Sequence, residues 1–267
     1  MTHGSGAQHP VARWIAAGAL DPELGGLLWL LVEARVPVVV AGPPETDRSG
    51  LREALAGFLP PDVVTRRLDG AREDFAWMPE AVELGWRREG RQGAGGQGAG
   101  RSRPSAGSTI LMADLEDDPD GTWGERARIA LRSLSVGYGM LATVPGSRLE
   151  DVFDALTAAP VGATEDELAR LGAVLVLDRD GAMDRVIAAH YLRPTARDLH
   201  GHVQRMPPAV VATWDPANQR FEHFAWGITA ELSDRIGTRP ADLEREQARR
   251  AETLAGESRT FDAPSTR

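Results

Sequence analysis

The chain has 267 residues, of which 42% are hydrophobic, and it carries a formal net charge of −9 at pH 7 with no cysteine. This length and composition allow one substantial buried core with a smaller appendage. The missing cysteines exclude disulfides, thiolate catalysis and cysteine-ligated zinc, and the negative charge argues against nonspecific binding to nucleic acid. No apolar run reaches the length of a membrane span and no signal peptide precedes Trp14, so we expect a cytoplasmic protein.

The first two thirds of the chain alternate short apolar runs with amphipathic segments. After an N-terminal tail over residues 1–20, leucines at helical spacing predict a helix near 22–35. Residues 21–178 form the predicted core, with strands near 36–41, 63–68, 109–114, 139–144 and 173–178, and helices near 49–58, 122–135, 147–157 and 164–171. Because such alternation is typical of parallel sheets, we predict an α/β fold whose central, mostly parallel sheet is flanked by helices on both faces.

Residues 41–51, between the first core strand and its helix, resemble a phosphate-binding loop. That motif requires Gly, four residues, then Gly-Lys-Ser/Thr: backbone N–H groups surround the phosphates, lysine reaches the outer phosphates and the hydroxyl holds Mg²⁺. Here the frame is Gly42, four residues, then Asp47, Arg48 and Ser49, and all 30 basic residues of the chain are arginine. Taken alone, the segment is better explained as a turn rich in proline, aspartate and serine.

Two further regions complete the sequence-based organisation. A glycine-rich stretch over about 90–107 predicts a flexible surface insertion in the core. Residues 179–255 predict a smaller β-rich and helical extension, with strands near 183–192, 209–214 and 220–224 and a charged helix near 240–250. Residues 256–267 are predicted to be a tail.

Several segments, in the same order throughout, resemble the secretion ATPases of the type II/type IV superfamily, with the archaeal-type branch that includes the archaellum motor ATPase as the nearest. The similar segments are residues 15–24, 28–35, 58–62, 110–114, 136–143, 158–171 and 213–221. The resemblance implies a RecA-like P-loop core that binds ATP and Mg²⁺ and assembles into a ring, usually a hexamer. It also implies a location in the cytoplasm, at the inner face of the membrane, beside the platform proteins of a secretion or pilus apparatus.

The resemblance assigns family roles to five positions of the loop and the acidic strand. Gly42 is the first loop glycine, Asp47 stands at the last loop glycine, Arg48 at the lysine and Ser49 at the Mg²⁺ hydroxyl. Asp114 stands where the family has the glutamate that polarises the attacking water, and with Ser49 it would hold the metal ion. Only the hydroxyl position is therefore unchanged among the last three residues of the loop.

Other family positions are changed as well. Pro145 and Tyr138 stand where the family has histidines, and proline can neither donate from its backbone nor hydrogen-bond through its side chain. Arg101 and Arg103 resemble the family's arginine-rich segment before the acidic strand and are candidate nucleotide-binding residues. Phosphoryl transfer depends on placed charges, so these losses together predict a rate lower by several powers of ten.

We therefore predict a pseudo-ATPase that acts as a regulatory or structural subunit through protein contacts, in a homo- or hetero-oligomeric ring, with an active paralogue as one partner. The family's separate N-terminal domain is not expected in this chain, which also favours a regulator. ATP and Mg²⁺ are the cofactors if nucleotide binds at all. Two alternatives stay open: a working ATPase that uses Arg48, Ser49 and Asp114, and a nucleotide or anion sensor without hydrolysis.

Overall fold

A single eight-stranded sheet organises the chain in a computed structural model that describes residues 8–87, 105–181, 183–197, 203–204 and 206–262. The sheet strands are β1 (Val38–Gly42), β2 (Val64–Arg67), β3 (Thr109–Asp114), β4 (Gly139–Pro145), β5 (Ala173–Asp180), β6 (Met183–Tyr191), β9 (Ala209–Asp215) and β10 (Arg220–His223). The short strands β7 (Ala196–Arg197) and β8 (Val203–Gln204) form a separate antiparallel pair. The helices are α1 (Val11–Ala16), α2 (Pro22–Glu33), α3 (Arg48–Ala56), α4 (Glu125–Ser133), α5 (Leu149–Thr157), α6 (Glu165–Leu168), α7 (Thr229–Ile236) and α8 (Pro240–Asp262).

The strand order is β10-β9-β6-β5-β1-β4-β3-β2. The five strands β5, β1, β4, β3 and β2 run parallel, and β6, β9 and β10 continue the same sheet in antiparallel fashion. One strand, β4, separates the loop-bearing strand β1 from the acidic strand β3. The sheet is mostly parallel and has helices on both faces, so the predicted α/β fold class is confirmed.

Side chains that alternate along the central strands pack into two hydrophobic cores, one on each face of the sheet. On β1, Val38 and Val40 face one core, to which α1, α2, α3, α7 and α8 contribute. Val39 and Ala41 face the other, which α4, α5 and α6 cover. Because both faces of the sheet are buried, a ligand can reach the parallel strands only at their ends. We call the side where these strands end the carboxyl or loop edge, and the side where they begin the opposite edge.

The terminal helices correct two sequence-based expectations. Residues 11–16, predicted within a tail, form α1, and Val11 is fully buried. Residues 256–262, also predicted as tail, continue α8, which packs along α1 and α2. Gly26 of α2 permits this packing, because an added Cβ would lie 2.6 Å from the Gln247 carbonyl oxygen of α8. None of the helices in the described ranges is long and apolar enough to cross a membrane.

Asp21 joins the start of α2 to the edge of the sheet. One of its carboxylate oxygens accepts the Leu24 N–H at 2.9 Å, which caps α2, and the other lies 2.8 Å from Nε2 of His223. Burial lowers the pKa of His223, but the hydrogen bond to Asp21 and the nearby Glu23 charge outweigh it, so the pKa is raised. The protonated imidazole is therefore favoured by folding.

This raised pKa predicts a pH-dependent contribution to stability. The contribution is complete below the unfolded-state pKa of about 6.5 and is lost as pH rises through the higher folded-state pKa. In urea unfolding between about pH 6 and pH 9, we expect the stability advantage of the wild type over His223→Gln to shrink as pH rises. Asp21→Asn, which keeps the helix cap but removes the charge, is the control and should abolish the trend. A constant difference across this range would contradict the prediction.

Candidate functional site

The loop after β1 lies at the carboxyl edge of the parallel strands, the edge at which open α/β sheets bind ligands. β1 ends at Gly42, residues 43–47 form the loop, and α3 begins at Arg48. Thr46 is buried and its hydroxyl donates to the Pro43 carbonyl at 2.7 Å, which closes the loop on itself. An added Cβ at Gly42 would lie 2.5 Å from that hydroxyl, so glycine is required where the loop leaves the strand.

The start of α3 is occupied by the protein's own carboxylate. Asp47 is the N-cap, and its side chain accepts the Gly50 N–H at 2.8 Å. An added Cβ at Gly50 would lie 2.0 Å from a carboxylate oxygen of Asp47, so the two residues fit only because position 50 is glycine. A helix N-terminus with free N–H groups binds phosphate, and here a carboxylate takes one of those donors.

A hairpin far away in sequence holds the loop from outside. The Asp47 N–H donates to the Asp184 carboxylate at 2.8 Å, and Arg179 pairs with the same carboxylate at 2.9 Å. Arg179 also donates to the Glu45 carbonyl. A second backbone donor of the loop is thus engaged by a carboxylate. Sequence reasoning missed Arg179 and Asp184, whose only signal is the run of charges around the turn between β5 and β6.

Arg48, the first residue of α3, pairs with a carboxylate that follows β3. Its Nη2 donates to Glu116 Oε2 at 3.0 Å, and the residue is 9% exposed. The other terminal nitrogen, Nη1, is buried and has no hydrogen-bond partner among the described residues. The guanidinium is therefore mostly neutralised by Glu116, with one donor left over.

Asp114, the last residue of β3, accepts three hydrogen bonds from side chains. Its Oδ1 accepts from the hydroxyls of Thr143 at 2.7 Å and Ser49 at 3.2 Å, and from Arg52 Nη1 at 2.5 Å. Burial raises the pKa of Asp114, but the Thr143 hydrogen bond and the Arg52 charge together lower it below its ordinary value. Asp114 is thus an ionised carboxylate whose charge Arg52 already compensates, which leaves it poorly suited to act as a base.

Arg52 is another site residue that sequence reasoning missed. It is 1% exposed, and besides Asp114 it donates to the Ala113 carbonyl at 3.0 Å and to Glu53 at 3.1 Å. The periodicity of apolar residues along α3 predicts that Arg52 is an ordinary polar residue on the surface. Burial of its side chain between α3 and β3 is a tertiary effect with no local signal.

The remaining residues that the sequence suggested for the site differ in their distance from the loop. Pro145 lies beside Gly42 in the pairing of β1 with β4, so it is at the loop edge. Tyr138 precedes β4 at the opposite edge, where its hydroxyl donates to Glu80 at 3.0 Å and burial with that carboxylate raises its pKa to about 12. It therefore does not belong to the site. Arg101 and Arg103 lie outside the described residues.

The site as a whole favours internal neutralisation over ligand binding. Ser49 and Asp114 are brought together, as a pair that holds Mg²⁺ would be. The residues nevertheless do not fit a Mg²⁺-nucleotide, because carboxylates take the Asp47 and Gly50 N–H donors and Arg52 already pairs with Asp114.

Comparison with known proteins gives distant relatives. No known family profile matches the sequence. The uncharacterized protein MJ1287 of Methanocaldococcus jannaschii is 23% identical over 251 residues, which cover 90% of this chain and 88% of that protein. A solved structure of the VirB11 ATPase from the Brucella suis type IV secretion system, in complex with sulphate, is 16% identical with a TM-score of 0.42. The match covers 65% of this chain and only 59% of the VirB11 chain. These similarities assign no activity to this chain.

The Arg52 and Asp114 pair makes a testable contribution to stability. Arg52→Met removes the buried cation that contacts Asp114 and leaves the exposed Arg67, 3.8 Å away, as the remaining counter-charge, so we expect unfolding in urea to become easier by about 2 kcal/mol. Arg52→Met with Asp114→Asn should recover part of this loss, because the carboxylate charge is then gone. Arg148→Met is the control: its pair with Asp151 is 72% and 33% exposed, and its loss should cost below about 1 kcal/mol. Equal losses for Arg52→Met and the control would show that the pair is not structural.

Proposed function

We propose that this chain is a degenerate relative of secretion ATPases that keeps the nucleotide-binding scaffold, does not hydrolyse ATP and acts through protein contacts. The observation that carries the proposal is the Asp47 carboxylate, which accepts the Gly50 N–H at the start of α3. In an intact phosphate-binding loop, helix-terminal donors face a phosphate. Here the loop is closed by a group that the protein supplies itself.

The energetic cost of opening the loop supports this proposal. A phosphate would meet the Asp47 charge, and two unit charges about 4.5 Å apart repel by roughly 4 kcal/mol at an effective dielectric near 20. Moving Asp47 aside instead would sacrifice the α3 cap, worth about 1 kcal/mol. Because about 1.4 kcal/mol is a tenfold change in affinity, either route weakens nucleotide binding substantially.

Exposed apolar side chains support a role in protein contact. Trp226 is 78% exposed, and Phe224 and Val210 are 40% and 39% exposed, all on or next to the antiparallel edge of the sheet. Large exposed aromatic side chains are typical of protein interfaces, where tryptophan is a frequent energetic anchor. This edge is remote from the loop in strand order, so contact there does not require nucleotide.

The resemblance noted in the sequence supplies the class of partner. We propose platform proteins of a secretion or pilus apparatus, or an intact ATPase paralogue in a mixed ring, as the partners. The place of action would be the cytoplasm or the inner face of the membrane. A subunit with a closed loop would regulate or cap such an assembly.

Two observations favour a second candidate, an anion or nucleotide sensor. Arg48 Nη1 is buried without a hydrogen-bond partner in the described part of the chain, so one donor is free to meet an anion. Ser49 and Asp114 also keep their mutual contact at 3.2 Å. A working ATPase would need both groups together with a base, and Asp114 is already committed to Arg52.

Calorimetric titration with ATP and a non-hydrolysable analogue, with and without Mg²⁺, tests the proposal. We expect no Mg²⁺-dependent binding by the wild type up to millimolar ATP. Asp47→Gly with Arg48→Lys removes the blocking carboxylate and restores the point charge, so we expect measurable Mg²⁺-dependent affinity. Turnover should stay at background in a phosphate-release assay, because Pro145 and the Arg52 and Asp114 pair remain.

Asp62→Gly with Arg13→Lys makes the same two exchanges at exposed residues away from the loop and serves as the control. Micromolar, Mg²⁺-dependent ATP binding by the wild type that disappears in Ser49→Ala would overturn the closed-loop proposal in favour of the sensor. Robust ATP hydrolysis by the wild type would instead establish the working ATPase.

A further inference from the structure

Three arginines meet at a cavity on the edge of the sheet opposite to the loop. The cavity has a volume of about 360 Å³ and is lined by Arg35, Arg170 and Arg235, together with residues that directly precede β1 and β4. β1 has five residues, so the loop and this cavity are separated by roughly 13 Å or more along the strand. The cavity is therefore distinct from the loop site.

Each arginine comes from a different element and is held there by backbone geometry or contacts. Arg35 follows α2 with a φ of 59°, a left-handed conformation that costs a non-glycine residue about 1–2 kcal/mol. Arg170 follows α6, and its carbonyl accepts a hydrogen bond from Nη2 of Arg235, in the last turn of α7, at 2.9 Å. Three separate segments thus converge on one opening.

Carboxylates do not neutralise this cluster. The lining of the cavity contains no aspartate or glutamate, and the three arginines form no ion pair within the described residues. Two acids on the same elements pair elsewhere, Glu167 with Arg132 at 2.6 Å and Glu231 with Arg193 at 2.8 Å, and Asp234, next to Arg235 in sequence, forms no ion pair with it. The chain has 39 acidic and 30 basic residues, so a cavity with three arginines and no paired carboxylate has the opposite charge to the chain as a whole.

We infer that this cavity binds a small ligand through a phosphate or diphosphate group. Guanidinium groups are planar forks that match phosphate oxygens with two parallel hydrogen bonds, and they stay charged at every physiological pH. The volume lies in the range of small-ligand sites, and Val36, Pro37 and Leu134 give the ligand an apolar wall. This inference does not depend on whether the loop binds nucleotide.

Calorimetric titration of the full chain with inorganic pyrophosphate, and separately with ATP, tests the inference. We expect one pyrophosphate per chain, without a requirement for Mg²⁺. Arg35→Gln and Arg170→Gln should each weaken the affinity about tenfold or more, as expected for the loss of a charge-assisted hydrogen bond. Both residues are exposed, so thermal unfolding should show that the variants stay folded. ATP binding that Arg170→Gln removes would belong to this cavity.

Arg13→Gln and Arg259→Gln are matched controls, since both are exposed arginines elsewhere without a carboxylate partner among the described residues. They should leave the pyrophosphate affinity within about twofold, a difference of less than 0.5 kcal/mol at about 1.4 kcal/mol per tenfold change. The inference fails if millimolar pyrophosphate does not bind, if the controls lose as much affinity as Arg170→Gln, or if Ser49→Ala abolishes the binding. The last outcome would assign the pyrophosphate to the loop. The proposal that the loop does not bind nucleotide is tested separately, by the titration with ATP.

Discussion

The contact between Arg52 and Asp114 is the interaction on which the loop edge depends. It joins α3, which carries the degenerate loop, to the end of β3, and Thr143 extends it to β4. The guanidinium is 2% exposed at its side chain, so its charge has to be met by a carboxylate close by. With Asp114 committed in this way, the other groups of the edge are left to neutralise one another: Arg48 pairs with Glu116 and Arg179 with Asp184.

This internal pairing also gives Asp47 a structural role. In the sequence, Asp47 looks like an anion placed against a phosphate. In the structure, the same carboxylate caps α3, and Gly50 is the residue that admits it. Asp47 is thus part of a stable turn, in which carboxylates accept both its own N–H and the Gly50 N–H at the start of α3.

Apolar periodicity predicted a strand near 36–41 and a helix near 49–58, which correspond to β1 and α3. Ser49 at the start of α3 lies 3.2 Å from Asp114 at the end of β3, because parallel strands bring their carboxyl ends together. Periodicity could not reveal Arg52 or Asp184, whose roles depend on burial and on a hairpin more than a hundred residues away. α1 and the C-terminal part of α8 were not predicted for a related reason: Val11 of α1 and Leu254 of α8 are buried by packing among α1, α2 and α8, which distant parts of the chain supply.

The two edges of the sheet treat arginine differently. At the loop edge, Arg48, Arg52 and Arg179 each contact a carboxylate, so little positive charge remains for an anion. At the opposite edge, the arginines around the cavity contact no carboxylate within the described residues. Because their positive charges repel one another, an anion that enters the cavity would lower the electrostatic energy. Attraction for phosphate therefore follows the uncompensated charge rather than the motif. The two ends of the parallel strands therefore differ in charge balance: carboxylates meet the arginines beside the loop, and within the described residues they do not meet those around the cavity.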